Sequence, residues 1–76
     1  MNSAANKTTA RQAAIDLCVE ALSYTRGKRP QDDDGQGVEL ICVAYYGALD
    51  NGFKDVAERF RIAVARDTLY SAPAAS

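Results

Sequence analysis

Apolar positions return at helical spacing in three stretches of this chain, and two segments rich in Gly, Asp and Asn separate them. In the first stretch Ala10, Ala14, Leu17, Cys18, Ala21, Leu22 and Tyr24 share one side of a wheel turned 100° per residue. Ile15 and Val19 widen that side, while Gln12, Asp16, Glu20 and Ser23 form a narrow polar strip opposite. Thr8 or Thr9 is placed to open this helix, because Thr9-Ala10-Arg11-Gln12 has the spacing of a capping box. Gly27 stands where a left-handed residue ends a helix, and Pro30 forbids continuation, so the helix is predicted to stop near Arg26. Its apolar arc exceeds the stripe a surface helix needs, which predicts contact with more than one neighbour.

The second stretch, Val38 to Leu49, is the most apolar and carries Glu39 as its one charge. Its β-branched and aromatic residues would suit a strand. About a dozen residues without a turn signal is nevertheless long for a strand, so a central helix, apolar nearly all round, is the better reading. Asp50-Asn51-Gly52 ends it. A third helix is predicted from between Asn51 and Asp55 to between Arg66 and Tyr70. Phe53, Val56, Ala57, Phe60, Ala63 and Val64 make its stripe. Asp67 falls on that stripe, so the helix leaves the core or ends about there. Residues 1–7 and 71–76 are small, polar and unpatterned and read as flexible tails around a single helical domain, 8–70. The fold class expected is all-α, a three-helix unit.

Seventy-six residues and 14 alanines agree with a small helical domain. A core of this size seldom yields more than ~3–5 kcal/mol of net stability without a staple or a partner subunit. The net charge of −1 is far from the basic balance of a dedicated nucleic-acid binder. No apolar run is long enough to span a bilayer. A cytoplasmic protein is the expectation.

Candidate chemistry is sparse. The chain has no histidine, which removes the commonest general base and zinc ligand together. Lys7, Lys28 and Lys54 fall in polar positions, and Asp16 and Glu20, one turn apart, read as part of the solvated strip. Cys18 and Cys42 sit mid-helix among apolar neighbours and read as packing residues that could face one another. Asp32, Asp33 and Asp34 lie in a Gly-rich loop, yet a calcium loop begun at Asp32 would need a glutamate where Val43 stands. One of the three is expected to cap the second helix. The cluster could also meet a basic groove on a partner protein. No catalytic residue, metal or cofactor is expected.

Val56-Ala57-Glu58-Arg59-Phe60, with Thr68-Leu69-Tyr70, resembles the helix-turn-helix of bacterial repressors and transposases. In that likeness Ala57 takes the small position and Val56, Phe60, Ile62 and Tyr70 the anchors. Arg61 then occupies the turn position where Gly is usual, and Asp67 an apolar anchor position. Residues 61–66 continue helical periodicity, so one unbroken helix is predicted. Arg59, Arg61 and Arg66 would be the nucleic-acid face of a small DNA-binding regulator. The alternative, and the preferred reading, is a non-enzymatic protein-binding module. Tyr45 and Tyr46 are adjacent and cannot both face one core layer. With Ile62 and Leu69 they make more apolar surface than three short helices hide, which marks an interface with a host protein or a second copy. A chain this small can act by occlusion, as phage anti-defence proteins such as anti-CRISPRs do; that expectation rests on size alone.

Overall fold

The computed structural model describes residues 3–74, with side chains from Thr9 onward. Three helices account for most of it: α1 (Ser3–Thr25), α2 (Gln36–Asp50) and α3 (Lys54–Asp67). A short 3-10 turn, Pro30–Asp32, lies between α1 and α2. No strand occurs among the described residues, so the apolar second stretch is a helix as its length implied.

The ends follow the local chemistry. Thr25 closes α1 with its hydroxyl donating to the carbonyl of Ala21 at 2.8 Å, which lets a fully buried threonine satisfy its own polar atom. Gly27, at φ 76°, takes the left-handed step that Cβ-bearing residues resist. At the other end α1 starts earlier than the Thr9 box suggests. The helix takes in Ser3 to Lys7, because alanines at 4 and 5 extend the propensity of the segment and leave Thr9 inside the helix. Met1 and Asn2 lie outside the described residues. α3 runs unbroken to Asp67, with no turn at Arg61, so the likeness to a helix-turn-helix does not extend to the backbone. Thr68 then caps the last turn, its hydroxyl donating to the carbonyl of Val64 at 2.8 Å.

The core lies where the three helices meet. Cys18 and Ala21 of α1, Ile41, Ala44, Tyr45 and Ala48 of α2, and Val56, Ala57, Phe60 and Val64 of α3 are all buried, joined by Tyr70. α1 packs on both other helices, more extensively on α2 than on α3. Alanines at 21, 44 and 48 explain that asymmetry, since short side chains let two backbones approach closely.

Past α3 the chain is extended but not loose. Tyr70 is buried, Ala72 packs on the core, and the Tyr45 hydroxyl donates to the carbonyl of Ala74 at 3.1 Å. The apolar ring of Tyr70 and the small residues after it find a seat on α2. Ala75 and Ser76 lie outside the described residues.

Candidate protein-binding surface

The aspartate loop turns out to be a structural joint. Asp33 accepts from the backbone N–H of Gly35 at 3.0 Å and of Gly37 at 3.1 Å, satisfying donors that the start of α2 leaves open. The same carboxylate accepts from the buried Tyr70 hydroxyl. That hydroxyl, with the two N–H groups, holds the Asp33 carboxyl below its usual range. Burial first, and then Asp33, push the Tyr70 phenol up to about 12. Gly37 makes the joint possible: a Cβ there would lie 2.5 Å from the Tyr70 ring and 2.6 Å from the Asp33 carboxylate. Asp32 is engaged by Arg29, Nε to Oδ2 at 2.8 Å, and Asp34 stands exposed at φ 54°. The N-cap of α2 is Gly35 and not one of the aspartates; Asp33 instead braces the joint from two residues upstream, and the carboxylate cluster offered to a partner shrinks accordingly.

The arginine face of α3 is also largely spent within the fold. Arg61 pairs with Glu58, its Nε 3.1 Å from Oε2, and Arg66 pairs with Asp67 at 3.0 Å. Asp67 also meets Arg26, the residue just past α1, at 3.5 Å. Arg59 enters no ion pair among the described residues. Neutralising partners beside Arg61 and Arg66 reduce the field that would attract a phosphate backbone.

The apolar surface is where the surplus lies. Tyr45 is 1% exposed and belongs to the core, its hydroxyl supplied by Ala74, so it leaves the set of interface residues. Tyr46 is 49% exposed and stands edge-on to the Tyr45 ring at 5.1 Å. Ile62 and Leu69 are exposed as expected, Leu69 most of all. Helix α2 is less central than its sequence implied. Three helices cannot surround one of themselves, and Val38, Val43 and Tyr46 are each about half exposed on its outer side. Cys42 shares that side, so it does not face Cys18; both thiols are free. Burial pushes the Cys18 thiol up to about 11, which makes it inert.

Comparison with known proteins finds no matching family model, curated protein or solved structure.

Two clefts border these surfaces. One, of about 190 Å³, runs beside the outer side of α2 between Pro30, Val38, Cys42, Tyr46 and Pro73. The other, of about 300 Å³, opens between α1 and α3 over Ile15, Val19, Leu22, Phe60 and Ala63. Arg11 and Asp55 close its end as an ion pair with a second contact, Nη1 to Oδ1, at 3.1 Å. Arg11 holds the Asp55 carboxyl down to about 2. Among the described residues no cluster of His, Cys, Asp and Glu is arranged to hold a metal, and no helix is long and apolar enough to cross a membrane. Exposure of Ile62, Leu69 and one of the two adjacent tyrosines was legible in sequence; which tyrosine it is, and the α1–α3 cleft, were not, since both depend on how the helices pack.

Proposed function

We propose that this chain is a non-enzymatic protein-binding module that acts by covering a partner's surface. The observation that carries the reading is the row of apolar side chains on the outer side of α2, where Val38, Val43 and Tyr46 remain half exposed beside a shallow cleft. An aromatic ring ringed by aliphatic side chains is the composition favoured at the centre of protein interfaces. Occlusion suits a small rigid helical face, because it needs no site chemistry and only shape and apolar area. Blocking of a host complex is the form of occlusion we favour, and its support is the size of the chain. DNA binding through Arg59, Arg61 and Arg66 is the lesser proposal, since two of these already hold carboxylates.

A comparative pull-down tests the choice. The wild type, Tyr46→Arg and the triple charge reversal of Arg59, Arg61 and Arg66 are used as baits, each with and without nuclease. A protein recovered by the wild type in both arms and lost with Tyr46→Arg supports the module. Recovery that vanishes with nuclease or with the arginine reversals would replace it with the DNA-binding reading.

A further inference from the structure

The outer side of α2 and the α1–α3 cleft are separate surfaces of one molecule, and each supplies what the other lacks. No residue of α2 lines the cleft. Val38, Cys42 and Tyr46 recur at i, i+4 and i+8, so they form a straight apolar ridge along α2. Glu39 and Asp50 run beside that ridge, and α2 contains no lysine or arginine. Neither carboxylate enters an ion pair among the described residues.

The cleft is the complementary form. Its floor is Ile15, Cys18, Leu22, Val56, Phe60 and Ala63, and Val19 stands 56% exposed at its α1 rim. Arg59 lies on the α3 rim without an ionic partner among the described residues, whereas Arg11 and Asp55 at the end neutralise each other. Beyond Val19 the α1 surface carries Asp16, whose carboxylate accepts from Gln12 Nε2 at 2.9 Å. An acidic helix entering the cleft is therefore turned with its carboxylates toward α3 and its bare apolar flank toward α1. A trough between two helices accepts the side-chain ridge of a third in the ordinary manner of helix packing. Its open side argues against a small molecule, which needs most of its surface enclosed.

Resting on the protein-binding reading above, we infer that the partner for the α2 ridge is a second copy of this chain, docked in the α1–α3 cleft with Glu39 near Arg59. Because the two surfaces differ, the contact is head-to-tail. Each bound copy still presents a free ridge at one end and a free cleft at the other, so association continues into longer assemblies or closes as a ring.

Sedimentation velocity over a wide concentration range, on the wild type and two surface variants, tests this. Tyr46→Arg spoils the ridge; Val19→Glu with Arg59→Glu spoils the cleft. All the substituted side chains are solvent-exposed, and circular dichroism checks that each variant keeps its helices. The wild type should associate with rising concentration, and each variant alone should do so at least ~10-fold more weakly. Mixed in equal amounts, the two variants should form a one-to-one dimer that stops there, since one brings an intact ridge and the other an intact cleft. Pairing Glu39→Arg with Arg59→Glu in one chain should restore assembly that Arg59→Glu alone loses. A wild type that stays monomeric overturns the inference, as does a cleft variant that associates normally or a mixture that gains nothing. A foreign protein that needs Tyr46 but not Val19 or Arg59 would leave the protein-binding reading standing and remove the second copy. Loss of both self-association and any Tyr46-dependent partner would remove both.

Discussion

The seam between α1 and α2 and the seam between α1 and α3 are built from the same helix, yet one is closed and the other gapes. Along the first, Ala21 of α1 and Ala44 and Ala48 of α2 are all buried, and the Cys18 Sγ reaches within 4.0 Å of the Ala44 carbonyl oxygen. Along the second, Ile15, Val19 and Leu22 meet Val56, Arg59 and Phe60, and a cleft of about 300 Å³ remains. Side-chain bulk on either side sets the distance at which the backbones stop. Small residues closed one seam; branched residues and a cation left room in the other. The fold thus stores its rigidity on one flank of α1 and its capacity for contact on the opposite flank.

The largest effect should come from a bulky residue shared by the core and the open seam. Phe60 is buried in the core and also floors the cleft, so Phe60→Ala should cost about 3–5 kcal/mol. A loss of that size approaches the whole net stability of so small a domain, and thermal melting should lose its cooperative transition. The next test adds bulk to each seam in turn. Ala44→Leu, in the closed one, should cost about 1–3 kcal/mol in urea denaturation through overpacking. Val19→Leu, at the open one, should change stability by no more than about 0.5 kcal/mol. Equal losses at the two positions would contradict the contrast. Gly37→Ala belongs beside Ala44→Leu: its Cβ must displace the Tyr70 ring or the Asp33 carboxylate, at about 1–3 kcal/mol.

The smallest effects are those of pH. Asp55 and Asp33 both have carboxyl pKa values lowered by the fold, Asp55 to about 2 through Arg11 and Asp33 through the Tyr70 hydroxyl. Stability from a lowered carboxyl is present above its unfolded pKa of 3.8 and is lost as pH falls through the folded value. Melting temperature should therefore decline on acidification from near pH 4 toward 2, and Asp55→Asn should flatten part of the decline. The Tyr70 phenol is raised, so its contribution holds below pH 10 and is lost as pH rises through about 12.

How much of this could be read from the chain depended on whether the controlling chemistry was local. Gly27 with Pro30, and Asp50-Asn51-Gly52, punctuate the helices by themselves, and the ends of α1 and α2 and the start of α3 fall close to those marks. The start of α1 escaped because a capping box can sit inside an alanine-rich helix as easily as at its end. Adjacency required one of Tyr45 and Tyr46 to point outward. Choosing between them needs the bundle, as does finding that α2 has an exposed apolar side at all. The Asp33–Tyr70 contact spans 37 residues, and nothing near either residue announces it. At Gly37 the missing side chain is what lets the phenol ring approach α2.

The two cysteines report on the two sides of the molecule, which makes thiol labelling of the native protein the most direct test. Cys18 is buried between the closed seam and the wall of the α1–α3 cleft, with its pKa raised to about 11, and Cys42 stands on the outer side of α2. Titration with a thiol-reactive dye, at low protein concentration so that copies stay apart, should give one fast equivalent, mapped by peptide mass to Cys42. The second should react only on unfolding. Two fast thiols, or a Cys42 as slow as Cys18, would contradict an α2 that is sealed on one side and open on the other.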